Sequence, residues 1–370
     1  MSCHVSLGPP LLTLAPSLCA AVVLLLVPDG PREYPFWRGQ VFGMRDVPPE
    51  EMKAIGYTAP YAWFYTTGIV DVSCYLAWLT EEVKKLGGEF IKAKVESLTR
   101  LRVAAAQWNR AHASADPAAA LAALRSNAAT DLVSLPAPLL SLLQTRPHFL
   151  VVNCAGLGSK WMVPDPQVLA AKGCVLRVKC PGLTHFYTNL PHGSYIIPRR
   201  DDVVLGGSMV LADYSLDVPQ GFRDHILGRA GDIIPEVRGA EVTLEWAGLR
   251  PYREEVRLEL VRGAEPPPTF PAPKLFPVSG TLQFKQAFGS RLTEGAVEGL
   301  KAEEAARLAA RSTKEVEWES QGLEPERIVP VIHNYGHSGS GITLHWGCAL
   351  EVVSIAMQLC PPPQAKLAPA

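Results

Sequence analysis

The segment from residue 331 to residue 351 constrains the fold most, because a short apolar run gives way to a glycine-rich loop and then to an apolar helical pattern. Its sequence is VIHNYGHSGSGITLHWGCALE. Gly336, Gly339 and Gly341 lack Cβ atoms, so the backbone there can turn sharply and approach a bound group closely. A helix that follows Thr343 would direct free N–H groups and a partial positive charge at the same point. The segment therefore predicts a strand, a binding loop and a helix.

The charge balance excludes classes of protein that depend on a strong global field. The chain has 370 residues, of which 48% are hydrophobic, which is enough for two domains with buried cores. Its 35 basic and 36 acidic residues give a formal net charge of -1. Any recognition driven by charge must therefore be local, and we predict that the protein binds neither nucleic acid nor an anionic membrane surface.

Cysteine and histidine spacing indicates neither a disulfide framework nor a metal centre. The eight cysteines are dispersed without a CxxC pair, which predicts reduced thiols. His333 and His337 are four residues apart, but a glycine-rich loop separates them and no carboxylate is near them in sequence. We therefore predict no metal site.

The apolar run at residues 11–27 leaves three alternatives open. It is interrupted by Thr13, Pro16 and Ser17, whereas a membrane span needs about 20 consecutive apolar residues. A signal peptide needs a basic start, which His4 alone hardly supplies. The run is a targeting or membrane segment, a poorly specified tail, or one isolated strand.

Hydrophobic periodicity predicts a parallel-sheet half built from separated segments. Apolar residues at helical spacing from 71 to 86, closed by Gly87 and Gly88, predict a helix. The apolar runs at 90–95 and 149–152 predict strands of one mostly parallel sheet with a crossover helix.

Other stretches predict insertions and a second, antiparallel half. The alanine-rich residues 100–146, with Asp116 and Pro117 as N-cap and first residue of a short helix, predict a helical excursion without chemistry. Six prolines at 266–277 and the helix-forming residues that follow predict a second insertion. Alternation of apolar and polar residues over 174–260 predicts antiparallel strands.

Seven sequence blocks in one order resemble the D-amino-acid oxidase and D-aspartate oxidase family. The blocks are WFYTTGIVDVSCYLAWLTE, KVES, VVNCAG, HF followed by SYIIP, VLGG, GLRPYREEVRLE and the C-terminal segment given above. They cover about residues 35–263 and 325–358. The resemblance implies an α/β fold with an incomplete Rossmann-like FAD-binding domain and a mixed, largely antiparallel-sheet substrate domain.

The expected domain boundaries follow from these blocks and insertions. They are an atypical apolar segment at 1–34, substrate-domain parts at 35–67 and 172–263, FAD-binding parts at 68–171 (with the alanine-rich insertion at 100–146) and 325–360, and a proline-rich and helical insertion at 264–324.

The resemblance also implies an activity and partners. Members of the family pass the Cα hydride of a D-amino acid to FAD, after which O2 recovers the electrons as hydrogen peroxide and the imino acid hydrolyses to a 2-oxo acid and ammonia. The expected partners are a small D-amino acid and O2, and a homodimer is left open. The family suggests a peroxisomal protein, but the AKL tripeptide at 365–367 is followed by three more residues, so no C-terminal signal is expected and the cytoplasm is the other location.

The resemblance assigns the catalytic residues Arg250, Tyr195 and Gly339. Arg250 would grip the substrate carboxylate, since its planar fork donates two parallel hydrogen bonds. The alternative is a strand-end arginine paired with Glu254 or Glu255. The Tyr195 hydroxyl would contact the same carboxylate, although an ordinary sheet aromatic would also account for it. The Gly339 carbonyl would accept from the substrate amine.

The cofactor-binding residues are carried over in the same way. They are Val95, Ala155, Ser338, Gly341, Ile342 and Thr343. Val95 and Ala155 match positions near the adenine and phosphates of FAD, and sheet packing is the alternative for both. A second family tyrosine aligns with Pro191 and is absent. Thr188 and Met209 stand where the acidic-substrate branch uses arginines, which implies neutral substrates.

The GxGxxG turn that holds the FAD pyrophosphate in the family is absent from these 370 residues. The family-like region begins near residue 35, so we expect the first Rossmann unit to be missing. A non-catalytic remnant or truncated family member that no longer binds FAD is therefore the alternative function. GHSGS at 336–340 also comes close to a serine-hydrolase elbow, but Ser340 occupies its final glycine position and the expected downstream acid and histidine are lacking.

Overall fold

A computed structural model describes most of the chain as two compact units. The described residues are 18–27, 34, 38–54, 61–126, 137, 138, 141, 150–163, 165–189, 194–263 and 328–359. The first unit comprises 1–89, 172–249 and 276–291, and the second comprises 90–171, 250–275 and 292–370. The proline-rich insertion, Pro191 and the AKL tripeptide lie outside the described residues.

The first unit is built on a mixed sheet. Its strands are β1 (Leu18–Val27), β2 (Phe42–Asp46), β3 (Tyr61–Val70), most of β5 (Leu169–Lys179), β6 (His185–Asn189), β7 (Ser194–Pro198), β8 (Val203–Gly206), β9 (Val210–Leu211) and the first part of β10 (Glu241–Val261). The order is β2-β3-β1-β6-β7-β8-β5-β10, and β9 pairs with β5. The β6–β7, β7–β8 and β5–β8 pairs are antiparallel, which confirms the pattern predicted for 174–260.

The apolar N-terminal run contributes a strand to this sheet. Leu18–Val27 pairs along its whole length with β3 in antiparallel register, from Leu18 opposite Val70 to Val27 opposite Tyr61. Its other edge pairs in parallel with β6. Of the three alternatives for the run, the described residues therefore form a strand, although one that is paired on both sides.

Three α-helices of the described residues belong to the first unit. They are α1 (Pro49–Ala54), α2 (Val72–Lys85) and α6 (Phe222–Ile233). The numbering follows chain order, so the helices numbered between α2 and α6 belong to the second unit. The predicted helix at α2 is confirmed, and its N-cap Asp71 accepts a hydrogen bond from the Ser73 N–H at 3.2 Å. Helix α6 packs the buried Phe222 and Ile226 into a core with Leu176 and Leu205 of the sheet.

The described residues of the second unit form three strands at one end of the sheet order, together with α-helices. Its elements are α3 (Leu98–His112), α4 (Pro117–Ser126), β4 (Val151–Asn153), α5 (Ser159–Met162), the second part of β10, β11 (Val331–His337) and α7 (Gly341–Leu359). The order is β10-β11-β4. β10 pairs with β11 antiparallel, and β11 pairs with β4 in parallel.

This division differs from the sequence-based domains at two places. Residues 68–89 fall in the first unit, where Arg200 donates to the Cys74 sulfur at 3.1 Å and lies 3.8 Å from Asp71. Residues 250–263 fall in the second unit, because this part of β10 pairs with β11.

Helix α3 is a core helix, so the prediction that residues 100–146 form an excursion is wrong for its first part. Nine of its 15 residues are buried. Its alanines pack with Trp108 against Val329, since small side chains allow a helix to approach neighbouring segments closely. Arg102 is 0% exposed and donates from Nε to the Val329 carbonyl and from Nη2 to the Gly263 carbonyl, each at 2.7 Å. The predicted cap of α4 is confirmed, since the Ala119 N–H donates to Asp116 at 3.0 Å.

The prediction of a strand at 90–95 is wrong. These residues have no regular structure, and Phe90 and Ile91 are exposed. An extended run becomes a strand only where another strand accepts its hydrogen bonds, and the sheets described here offer none at this point. The run at 149–152 does contribute the strand β4, which pairs in parallel with β11.

Candidate active site

The loop after β11 has the geometry that its glycines predict. Gly336 has a φ of 92°, and a Cβ on it would lie 2.7 Å from the Arg253 Cβ. Ser338 also has positive φ, at 51°, and a 3-10 turn at Ser338–Ser340 leads directly into α7 at Gly341. Gly336 therefore permits both the turn and the close approach of β10.

The first turn of α7 is open and carries no acidic residue. Gly339, Ser340, Ile342 and Thr343 are exposed, while Ser338 and Gly341 are half-buried. The first N–H groups of a helix have no partner within it and carry a partial positive charge. The loop can therefore receive an electron-rich or anionic group.

Two loops that carry assigned residues follow the carboxyl ends of the neighbouring strands β4 and β11. β4 and β11 run in parallel, with Val331 opposite Val151 and His333 opposite Asn153. The carboxyl ends of parallel strands in an α/β sheet form the usual ligand-binding edge. Ala155 follows β4 and is exposed, which argues against the sheet-packing alternative for this residue.

Asn153 shapes the turn after β4. It is buried, and its Oδ1 accepts from the Ala155 N–H at 3.1 Å and from the Ser159 hydroxyl at 3.3 Å. Its amide nitrogen lies 3.2 Å from Nδ1 of the buried His333 on β11. One side chain thus ties the Ala155 turn to the neighbouring strand.

Arg250 lies against Gly339. The antiparallel β10–β11 ladder ends with Tyr252 opposite His337, and Arg250 and Gly339 each lie two residues beyond this pair. A methyl group built on Gly339 would lie 3.8 Å from Cδ and 4.0 Å from Nε of Arg250. The structure therefore brings together two of the residues that the family resemblance assigns to substrate binding.

The proposed alternative partners of Arg250 are placed differently. Glu254 and Glu255 are exposed. Arg253, not Arg250, donates to the main-chain oxygen of Glu255, at 2.9 Å.

The sequence analysis missed a buried polar cluster that is formed by Asp165, Arg253, Arg257 and Tyr335. Asp165 Oδ2 accepts from Arg253 Nε at 3.1 Å and from the Tyr335 hydroxyl at 2.8 Å. Arg257 donates to the same hydroxyl at 2.8 Å. Burial and the adjacent Asp165 carboxylate raise the pKa of Tyr335, so its hydroxyl stays protonated and can donate. The closely spaced arginines of GLRPYREEVR were the available signal, but a lone aspartate gives no sign in sequence that it is buried.

Two titratable side chains beside the loop are held neutral by their surroundings. Burial lowers the pKa of His337, and its Nε2 has no hydrogen-bond partner among the residues that the structure describes. Burial raises the pKa of the Cys154 thiol, which precedes Ala155. Neither group supplies a charge of its own near neutral pH.

The remaining cofactor residue, Val95, lies in the irregular segment that leads to α3. It is half-buried and stands two residues before Ser97, whose hydroxyl caps α3 by accepting from the Arg100 N–H at 3.3 Å. Its predicted contact with FAD stays a prediction.

Tyr195 belongs to the first unit, where its ring packs on a pair of glycines. It lies opposite Thr188 of β6 and Gly206 of β8. A Cβ on Gly206 or Gly207 would overlap the tyrosine ring, so the two glycines provide the flat surface on which it rests. This packing fits the sheet-aromatic alternative, and the role of the hydroxyl stays a prediction.

Comparison with known proteins identifies the family of this chain. Residues 32–355 match the family described as FAD dependent oxidoreductase. The chain belongs to this family. It is 28% identical over 337 residues to D-amino-acid oxidase of Rubrobacter xylanophilus, covering 90% of this chain and 70% of that protein. It is 26% identical over 326 residues to human D-aspartate oxidase, covering 88% of this chain and 65% of that protein.

The fold comparison agrees with the family. Glycine oxidase from Geobacillus kaustophilus superposes with a TM-score of 0.54 at 16% identity, covering 95% of this chain and 74% of that structure. Iminodiacetate oxidase from Chelativorans sp. BNC1 gives a TM-score of 0.52 at 12% identity, covering 95% and 75%. The expected α/β flavoprotein fold is confirmed.

The residues present fit one end of the cofactor on which this family depends. The exposed loop at Gly339–Thr343 and the open N-terminus of α7 suit a flavin ring, which gains negative charge when reduced. The pyrophosphate end has no corresponding cradle in the sequence, since the 370 residues contain no GxGxxG.

Proposed function

We propose that this chain catalyses the FAD-dependent oxidative deamination of neutral D-amino acids to 2-oxo acids, with release of ammonia and hydrogen peroxide. The observation that carries the proposal is the position of the Arg250 side chain against Gly339, at the loop that opens α7. An arginine fork and an exposed main-chain carbonyl are the two groups needed to hold an amino acid by its carboxylate and its amine.

The protein's part in the reaction is to bind and orient. Arg250 donates two parallel hydrogen bonds to the substrate carboxylate, and the Gly339 carbonyl accepts one from the amine. Two anchors on either side of Cα fix the direction of its C–H bond, which lowers the entropic part of the barrier. No side chain need act as a strong base, because the amine gives its proton to solvent as the hydride leaves.

FAD, when bound, supplies the two-electron oxidant, accepting the Cα hydride and returning the electrons to O2 as hydrogen peroxide. The N-terminus of α7 would stabilise the negative charge that the flavin ring gains on reduction, since the amides of the helix carry partial positive charge. Water then adds to the released imino acid, which gives the 2-oxo acid and ammonia.

The preference for neutral side chains rests on the family resemblance, in which Thr188 and Met209 stand where the acidic-substrate branch uses arginines. Thr188 lies opposite Tyr195 in the β6–β7 ladder, and the half-buried Met209 follows β8. Neither a threonine nor a methionine can form an ion pair with a side-chain carboxylate. A D-aspartate side chain would therefore lose its hydration without a compensating partner.

The test is peroxide formation by the purified 370-residue chain in a large excess of FAD, because the chain by itself is expected to bind the cofactor weakly. We expect D-alanine to be oxidised, D-aspartate to react much more slowly, and L-alanine to be inert. Arg250→Ala is the active-site control, and Arg262→Ala, an exposed arginine on the chain just after β10, is the matched surface control. Faster oxidation of D-aspartate than of D-alanine would contradict the substrate class, and equal rates for Arg250→Ala and Arg262→Ala would contradict the site.

A second candidate function is a family member that does not bind FAD and has no catalytic activity. It is favoured by the lack of a GxGxxG motif and by α7, in which no residue is buried. The two candidates differ in the first measurement, because a purified protein of the second kind shows neither a flavin spectrum nor saturable FAD binding.

A further inference from the structure

A single buried carboxylate joins three segments of the second unit. Asp165 lies between α5 and β5 and is 6% exposed. Its Oδ2 accepts from Arg253 of β10 at 3.1 Å and from the Tyr335 hydroxyl of β11 at 2.8 Å. Arg257, also on β10, is 3.9 Å from the same oxygen. The carboxylate therefore connects its own loop to both strands that carry the candidate site.

The other oxygen of Asp165 fixes the orientation of the carboxylate. Oδ1 accepts from the Gln167 N–H at 3.0 Å, and the Asp165 carbonyl accepts from the Val168 N–H at 3.3 Å. The side chain is thus held by its own turn and cannot rotate freely away from Arg253. A charge buried in this way needs its partners, because an unpaired buried ion is costly.

The cluster sits where β10 departs from regular pairing with β11. The ladder register shifts between Tyr252 and Arg257, so four residues of β10 bulge opposite Gly336. Nothing in a regular ladder would fix the conformation of such a bulge. The Arg253 bond to Asp165 and the close contact between Arg253 and Gly336 hold it instead.

This bulge sets the position of the substrate-binding residues. Arg253 stands three residues after Arg250, and Tyr335 stands four residues before Gly339. The two anchors of Asp165 therefore lie within four residues of Arg250 and Gly339 along the chain. A change in the length of the bulge would slide Arg250 along the loop of α7.

We propose that Asp165 is a positioning residue for the substrate carboxylate site, holding the bulge of β10 in the register that places Arg250 against Gly339. This inference rests on the proposed function. Asp165 itself does not touch the substrate and acts through Arg253 and Tyr335.

The test compares three variants of the full chain. Asp165→Asn keeps an oxygen for the Gln167 N–H but replaces the acceptor of Arg253 and Tyr335 with a donor. Asp165→Glu restores the charge one methylene away. Asp213→Asn is the matched control, because Asp213 is also a partly buried carboxylate that pairs with a buried cation, Lys172, at 3.2 Å, but in the first unit.

The measurement is the protection of Arg250 from phenylglyoxal by propionate, followed by peptide mass spectrometry, with the exposed Arg262 as internal reference. It needs no turnover. We expect propionate to slow modification of Arg250 at least threefold in the parent chain and in Asp213→Asn, to have no effect in Asp165→Asn, and to act at an intermediate level in Asp165→Glu. Arg262 should react equally in all four proteins, and Arg102, which is 0% exposed, should stay unmodified in all four, which separates positioning from general unfolding.

The possible outcomes distinguish the role of Asp165 from the existence of the carboxylate site. Protection in the parent chain that persists unchanged in Asp165→Asn overturns the role of Asp165 and leaves the proposed function standing. An Arg250 that propionate does not protect in the parent chain overturns the carboxylate site itself, and the inference with it. Modification of the buried Arg102 in Asp165→Asn would show that the carboxylate serves only to keep the unit folded, and would also overturn the positioning role.

Discussion

At the residue scale, Arg250 is the side chain whose loss should separate substrate binding from cofactor binding. Arg250→Ala removes the fork that lies against Gly339 but no group of the α7 loop. Truncating one partner of a hydrogen-bonded charge pair costs about 2–5 kcal/mol. We therefore expect kcat/KM for D-alanine to fall by about 30-fold to about 5,000-fold with FAD affinity unchanged.

Arg250→Lys gives the matched comparison, because it retains the charge and loses the planar fork. Its kcat/KM should lie between those of the parent and the alanine variant. Near-normal kcat/KM in Arg250→Ala would show that another group holds the carboxylate.

Gly336 offers a prediction about stability. Gly336→Ala should destabilise the second unit by more than about 1 kcal/mol, since φ is 92° and the new Cβ would lie 2.7 Å from the Arg253 Cβ. Gly347→Ala is the control: nothing lies within 4 Å of the new atom and the residue is inside α7, so stability should rise by about 0.5–1 kcal/mol. Urea unfolding of both variants measures the difference, and equal midpoints would be inconsistent with the described turn.

The same residues show what sequence can predict at this scale. Arg250, Gly339 and the loop from Ser338 to Thr343 were assigned because a family motif fixes their order, and the structure places Arg250 against Gly339. Asp165 was missed because its role depends on burial against two strands far away in sequence. No local pattern distinguishes such an aspartate from a solvated turn residue.

At the element scale, α3 shows how far composition can mislead. Its alanines and charged residues favour a helix correctly, but helix periodicity does not say what covers each face. Ala104 and Val103 are buried in the second unit, and so is Arg102, a residue type that is seldom fully buried without partners. The run at 90–95 was misassigned for a related reason, since extended residues need a partner strand that sequence does not show.

The buried arginine of α3 gives a prediction for this element. Arg102→Ala leaves the Val329 and Gly263 carbonyls without their bonds and should destabilise the second unit by about 3 kcal/mol. Arg100→Ala, on an exposed position of the same helix, should change stability by less than about 0.5 kcal/mol. Thermal unfolding by circular dichroism compares them, and a similar effect of the two substitutions would mean that Arg102 is not a structural tie.

At the scale of the whole molecule, the chain passes between its two units several times. The 21-residue strand β10 begins in the first unit and ends in the second, so one continuous apolar pattern contains a boundary between units. Sequence periodicity reports secondary structure and not the unit to which a strand belongs, which is why residues 250–263 were assigned to the substrate domain. The fold class could be predicted because the family motifs occur in order along most of the chain.

Helix α7 exposes apolar side chains that nothing in the described part of the second unit covers. None of its residues is buried, and Trp346, Leu350 and Val353 are among its exposed apolar side chains. By length and composition Ser338–Leu359 is apolar enough to cross a bilayer, a property that the core helices of soluble proteins share. The described β4 also stands last in its sheet order, with Val152 exposed. Such surfaces promote association unless something covers them.

These features lead to a prediction for the 370-residue chain by itself: weak FAD binding and a tendency to associate. The loop at Gly339–Thr343 can contact the flavin ring, but the GxGxxG turn that would hold the pyrophosphate is not in the sequence, so most of the usual binding energy is missing. Titration of FAD, followed by quenching of its fluorescence, should show no saturation near one equivalent. Sedimentation velocity should show association that Leu350→Gln reduces without changing the FAD titration, because Leu350 is 60% exposed on α7. Tight stoichiometric binding of FAD would contradict the prediction, and would mean that other residues of this chain hold the pyrophosphate.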